Sequence, residues 1–266
     1  MAIYRRQLAG IDYVECGTDH AGTLLCLHGI GGDDASFLPQ LEQLSDEFRV
    51  ISWNMPGYSG SGALSDLSFL TLASALNNFI VSLDCGPVHL IGQSIGGMLA
   101  QELYHCYPQQ VRSLVLVATT TAFGGKDESF KEAFMAARLA PLDAGRTMAQ
   151  LAAAAIPEIV ARDTSKAVIQ SAVESMAHLD AAVYRSVLSC LVTFDRRQQW
   201  TQTTCPVCIV SGSEDTNAPA ATMQRMAQKL RHASYHELAG AGHLVNLEKP
   251  DQFNAIVRSF VKRIID

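Results

Sequence analysis

Between a short apolar run at residues 88–91 (VHLI) and a helical stretch from about 95 to 107, the chain reads Gly92-Gln93-Ser94-Ile95-Gly96. A serine between two glycines means little alone, but a strand–turn–helix setting is what a nucleophile elbow needs. The turn is tight, so its flanks must be small, which explains glycine at 92 and 96. Ser94 is then held at the tip, where the N-terminal end of the following helix favours developing negative charge.

The rest of the chain supplies the frame that such a turn requires. Residues 3–15 carry two β-like runs around Ala9-Gly10, an expected hairpin. Short apolar runs follow at 23–27 (TLLCL), 49–53 (RVISW) and 113–118 (SLVLVA), and again at 207–211 and 234–238. Apolar runs this short suit strands buried on both faces. Helical patterns alternate with them at 36–44, 69–83, 95–107 and 220–230, with a closing helix from about 252. This alternation predicts an α/β fold: a mostly parallel central sheet with helices on both faces. With 48% hydrophobic and 17% charged residues, a 266-residue chain can fill such a core. From 121 to 194 the alternation lapses into helical sequence rich in Ala, Met and Gln. The expected organisation is a core domain of residues 1–120 and 195–266, with 121–194 inserted as a helical cap. Such a cap would lie over the carboxyl edge of the sheet, where open α/β sheets bind ligands.

Three further motifs fall just after strands. His28-Gly29-Ile30-Gly31-Gly32 follows TLLCL and is read as an oxyanion loop, with the N–H of Ile30 and the N–H of Ile95 as its two donors. In this reading His28, Gly29 and Gly31 support the loop. A dinucleotide fingerprint fails because Asp34 stands where the third glycine belongs. Asp215, in Ser211-Gly212-Ser213-Glu214-Asp215, is the candidate acid. Its neighbour Glu214 competes, but adjacent side chains point differently, and Asp215 lies farther into the loop. His243, in Gly240-Ala241-Gly242-His243-Leu244, is the candidate base, reached through small residues. Of the other histidines, His28 belongs to the oxyanion loop and His89 to a strand, while His20, His105, His178, His232 and His236 read as surface or packing positions. The order Ser94, Asp215, His243 separates this arrangement from the other known serine triads.

Composition narrows the partners. The net charge is −6 and no Lys/Arg cluster stands out, which argues against nucleic acid and anionic membrane surfaces. The N-terminus does not read as a signal peptide and no run is long enough to span a bilayer, so a cytoplasmic location is expected. The seven scattered cysteines fit free thiols better than a disulfide framework. Cys205-Pro206-Val207-Cys208 spells C-x-x-C but leads into a strand and has no second pair, so neither redox nor metal chemistry is expected of it.

With these residues in place, the chain resembles the α/β-hydrolase superfamily over nearly its whole length, through HGIGGD, GQSIGG, GSEDTNAP and GAGHLVNLEKPDQFN. Within it, NMPGYSGSG, GQSIGGM and HLVNLEKP look most like the group holding 3-oxoadipate enol-lactonases, small carboxylesterases and cofactor-free bacterial haloperoxidases. The resemblance implies a Ser-His-Asp triad, a helical cap and no cofactor or metal. Two departures matter. A serine nucleophile argues against epoxide hydrolases and haloalkane dehalogenases, and Leu244 stands where many C–C hydrolases carry an aromatic.

The expected activity is hydrolysis of an ester or lactone in a small-molecule substrate, through an acyl-enzyme. Alternatives are C–C hydrolysis of a ring-cleavage dienone by the same triad, and a ligand-binding protein on a hydrolase scaffold. An enol-lactone would bring a carboxylate, for which Arg138, Arg146, Arg162, Arg185, Arg196 and Arg197 are candidate partners. Oligomeric state has no signature in the sequence.

Overall fold

The computed structural model describes residues 1–17, 22–124 and 128–265. Its eight-stranded sheet comprises β1 (Tyr4–Leu8), β2 (Ile11–Cys16), β3 (Thr23–Leu27), β4 (Arg49–Trp53), β5 (Val88–Gln93), β6 (Val111–Val117), β7 (Val207–Gly212) and β8 (Ala233–Leu238). Spatial order is β1-β2-β4-β3-β5-β6-β7-β8. The opening hairpin is antiparallel, as is the β2–β4 pairing, while every pairing from β4 through β8 is parallel. The expected α/β class therefore holds.

Ten helices accompany the sheet among the described residues: α1 (Leu38–Leu44), α2 (Phe69–Leu83), α3 (Ile95–Cys106), α4 (Glu128–Asp143), α5 (Met148–Ala155), α6 (Lys166–Ala177), α7 (Ala181–Leu191), α8 (Ala220–Gln228), α9 (Val245–Glu248) and α10 (Pro250–Ile265). Successive strand residues face opposite cores, as the pleat demands. Leu25 and Leu27 join Leu76, Phe79 and Leu99 on one side, while Leu24 and Cys26 join Phe37, Leu41, Phe253 and Val257 on the other. Both faces are thus covered by helices, which is why these strands read as unbroken apolar runs.

Some bounds differ from the sequence reading. The stretch expected as one helix from 36 splits into a 3-10 turn, Asp34–Phe37, and α1, because Asp33 caps the turn through Ala35 N–H and Pro39 sits near the start of α1. β5 runs two residues beyond 91, since Gly92 and Gln93 still pair with Leu116 and Val117. Helices α4–α7 lie between β6 and β7. The two ends of this segment meet at an antiparallel bridge between Ala122 and Asp195, reinforced by Phe123 N–H to Phe194 O at 2.9 Å and Arg196 N–H to Thr121 O at 2.7 Å.

Candidate active site

Ser94 sits where β5 gives way to α3, at φ 55° and ψ −121°. That left-handed conformation is unfavourable for a residue with a Cβ and must be held by its surroundings. Its N–H donates to Val117 O at 2.9 Å, and its carbonyl accepts from Gly97 N, Met98 N and Thr119 Oγ1, the last at 2.7 Å. A Cβ on Gly92 would stand 2.6 Å from Gly97 N, and one on Gly96 would collide with the carbonyl of Leu27. The small flanks are therefore required by backbone packing, of Gly92 against α3 and of Gly96 against β3.

His243 and Asp215 are joined by a 2.8 Å hydrogen bond from Nδ1 to Oδ2. Both side chains are buried. The other carboxylate oxygen of Asp215 accepts from Asn217 N at 2.8 Å and Ala218 N at 3.0 Å. Burial by itself raises the pKa of Asp215, but His243 and the two N–H groups outweigh it and hold the carboxyl below its ordinary value. Glu214 turns away and accepts from Arg162 N at 3.2 Å, so of the two acids it is Asp215 that meets His243. Among the described residues no hydrogen bond occupies His243 Nε2, and both Ser94 and His243 line the same cavity.

The loop after β3 is anchored from beneath. His28 is fully buried; its Nδ1 lies 2.8 Å from Gly29 O, and its Nε2 accepts from Met55 N at 3.0 Å. Accepting at Nε2 places the proton on Nδ1, giving a neutral ring, and burial lowers its pKa in the same sense. Tyr58 Oη donates to Ile30 O at 2.8 Å. The N–H groups of Ile30 and Ile95 appear in none of the described hydrogen bonds, and Ile95 opens α3, where N–H groups lack helical partners.

Several residues that the sequence reading did not single out position these groups. Gln93 Nε2 donates to the main-chain carbonyl of His243 at 3.0 Å, and a Cβ on Gly29 would collide with the Gln93 side-chain oxygen. Glu248 accepts from Gly242 N (2.9 Å) and Leu244 N (2.9 Å) on either side of His243, and from Ala161 N (2.8 Å) and Thr164 Oγ1 (2.7 Å). His243 N–H itself donates to Ile159 O at 2.7 Å. The segment between β6 and β7 is thus bonded to the histidine loop. These partners are distant in sequence and belong to no short motif, except that the glutamate five residues after His243 lies within HLVNLEKP.

The cavity holding Ser94 has a volume of about 610 Å³, within the range of small-molecule sites. Its walls come from Phe123, Phe130 and Phe134 and from apolar residues including Ile159, Met176 and Leu188. Ser94 and His243 also line a recess of about 60 Å³ bordered by Gly31, Ser36, Ser175 and Asn246. Of the six arginines considered, only Arg138 and Arg197 line the cavity. Arg185 pairs with Asp143 and Arg196 with buried Glu102, each at 2.5 Å, while Arg146 and Arg162 lie outside the lining.

The remaining polar candidates read as structural. The described cysteines are free, and burial pushes Cys205 up to about 12 and Cys208 up to about 11, away from thiolate chemistry. His105, His178 and His232 are exposed and His236 half-buried, whereas His20 lies outside the described residues. Among the described residues no three His, Cys, Asp or Glu side chains gather as a metal site, and no helix is long and apolar enough to cross a membrane.

The fold belongs to one protein class, and residues 24–256 match the model of the alpha/beta hydrolase family. The chain belongs to the alpha/beta hydrolase family. Among curated relatives, it is similar to 3-oxoadipate enol-lactonase 1 of Acinetobacter baylyi, with 23% identity covering 93% of this chain and 91% of that protein. A putative carbamate hydrolase RutD of Variovorax paradoxus is 27% identical, covering 96% and 97%. Among solved structures, the enol-lactonase from Burkholderia xenovorans LB400 superposes with a TM-score of 0.86 at 23% identity, over 95% of this chain and 96% of that one. A thermophilic esterase from Thermogutta terrifontis gives 0.84 at 22%, over 96% and 94%. At these identities the structural likeness speaks for the fold alone.

Proposed function

We propose that this protein is a serine hydrolase that cleaves an ester or lactone of a small molecule through Ser94, His243 and Asp215. The observation that carries the reading is the Asp215–His243 hydrogen bond beside a strained serine in the same cavity. His243 Nε2 takes the Ser94 hydroxyl proton as Oγ attacks the carbonyl carbon. The carbonyl electrons move onto oxygen, which receives the N–H groups of Ile30 and Ile95. As the C–O bond to the leaving alkoxide breaks, His243 returns the proton to it. A water then gives a proton to His243 and attacks the acyl carbon, and Ser94 Oγ leaves and is reprotonated. The small recess has room for a few waters at this position.

Residues 121–194 act in this reading as the cap that shapes the acyl cavity, and the remainder of the chain as the catalytic core. The names of similar proteins, enol-lactonase and esterase, support a carboxylic ester or lactone. The test compares short aryl esters, lactones and coloured ring-cleavage dienones. Ester or lactone turnover that falls about 10⁴-fold or more in Ser94→Ala is expected. Selective turnover of the dienones, or retention of activity by Ser94→Ala, overturns the assignment.

A further inference from the structure

The large cavity has a charge asymmetry opposite to that of the whole chain. Arg138, Arg197, Arg225 and Lys229 line it, and no Asp or Glu does among the described residues, although the chain carries a net charge of −6. One of these cations is already compensated, since Arg197 pairs with Asp195 at 2.5 Å. The other three have no carboxylate partner among the described residues. Arg138 lies over the ring of Phe134 at 5.4 Å, and Arg225 Nη2 donates to Thr222 Oγ1 at 3.0 Å.

The placement of two of them is set by the fold. Arg225 lies in the last turn of α8, and Lys229 caps its C-terminal end. Four residues apart on a helix, they share one face. That helix follows the loop carrying Asp215, whose next residues Thr216 and Asn217 also line the cavity. Both cations are exposed, as fits the rim of the cavity, whereas Ser94 and Ile30 are half-buried. The same cavity is lined by apolar side chains such as Leu188, Leu191 and Met226.

We propose that the substrate is an amphipathic carboxylate ester or lactone: its apolar chain lies in the cavity, and its free carboxylate, at the end remote from the scissile carbonyl, is received by Arg225 and Lys229. This inference rests on the serine hydrolase reading and adds the substrate class to it. The same carboxylate would be steered inward by Arg138 on the same cavity, because clefts lined by one sign of charge concentrate the opposite ion.

The test uses full-length Ser94→Ala protein and calorimetric titration with monomethyl suberate and dimethyl suberate, which share a chain and differ by one charge. The monoanion is expected to bind roughly tenfold more tightly at low salt. That preference should shrink toward unity in Arg225→Gln/Lys229→Gln, and also at 500 mM salt, given a Debye length of about 3 Å at 1 M. Both substituted side chains are exposed, so folding is not at stake. Equal binding of the two esters, no binding of either, or a preference untouched by the double variant overturns the proposal. Turnover of dimethyl suberate by the unsubstituted enzyme, with loss in Ser94→Ala, is read separately. Its presence without a charge preference sinks only the carboxylate assignment; activity equal to that of the unsubstituted enzyme in Ser94→Ala sinks the hydrolase reading instead.

Discussion

The side-chain amide of Gln93 reaches across the site to the backbone of His243, its Nε2 donating to the His243 carbonyl at 3.0 Å. The residue preceding the candidate nucleophile therefore fixes the loop that presents the candidate base, and Gly29 leaves the space in which that amide lies. Gln93→Ala is expected to lower kcat roughly tenfold, since small misplacements of a reacting group are costly. Gly29→Ala should do at least as much by displacing Gln93. Combined, the two should cost less than the sum of their separate free-energy effects, because removing the amide removes the collision. Strict additivity of the two in kcat would show that Gly29 and Gln93 act independently.

Glu248 ties His243 to the helical segment between β6 and β7. Its carboxylate collects four donors, from Gly242, Leu244, Ala161 and Thr164. Glutamine would turn an NH₂ toward some of them. Glu248→Gln is expected to destabilise the fold by roughly 2–4 kcal/mol, as hydrogen bonds to charged groups are worth more than neutral ones. It should also lower kcat more than it raises KM. A denaturation curve and initial rates check this, and unchanged values of both would remove the coupling.

Ser94 stores backbone strain at φ 55°. Glycine adopts that region without a steric penalty, so Ser94→Gly should be more stable than Ser94→Ala by about 1 kcal/mol. Thermal unfolding of the two inactive variants decides it. Equal stability would mean that the turn imposes no strain on a Cβ.

His89 is expected to make the fold sensitive to acid. It is fully buried in β5, with Nδ1 2.7 Å from Ser113 Oγ and Nε2 unpartnered. Burial, helped by the charge of Arg112, lowers its pKa to about 4. An unfolded chain binds that proton near pH 6.5, so between about 6.5 and 4 the unfolded state holds more protons. Stability conferred by the neutral ring is complete above this window and falls as pH drops through it, by up to about 3 kcal/mol. The lowered pKa of Asp215 adds a further loss only below pH 4. Urea unfolding at pH 7.5, 6, 5 and 4 should trace this decline, and His89→Asn should make it shallower, leaving the part due to buried His28. The same slope in His89→Asn would assign the acid sensitivity to other groups.

Much of this architecture is legible in short sequence patterns, because local chemistry and global fold agree there. Leu24, Leu25, Cys26 and Leu27 read as a strand buried on both faces, and alternate between the two cores as such a strand must. Gly92 and Gly96 announce a tight turn because the backbone of α3 and β3 leaves no room for a Cβ. The supports of the site are a different matter. Gln93 and His243 are 150 residues apart, and Glu248 meets Ala161 across 87. No periodicity records such meetings. Likewise, six arginines are equivalent candidates in sequence, yet of these only Arg138 and Arg197 line the cavity, while Arg225 and Lys229 arrive from α8.

Reaction with a fluorophosphonate, followed by peptide mass spectrometry, asks whether Ser94 is an activated nucleophile. An activated Ser94 should carry the phosphonyl adduct, with labelling slowed strongly in His243→Asn and absent in Ser94→Ala. A folded protein that remains unlabelled, or an adduct on another residue, would contradict the assignment of Ser94 as nucleophile.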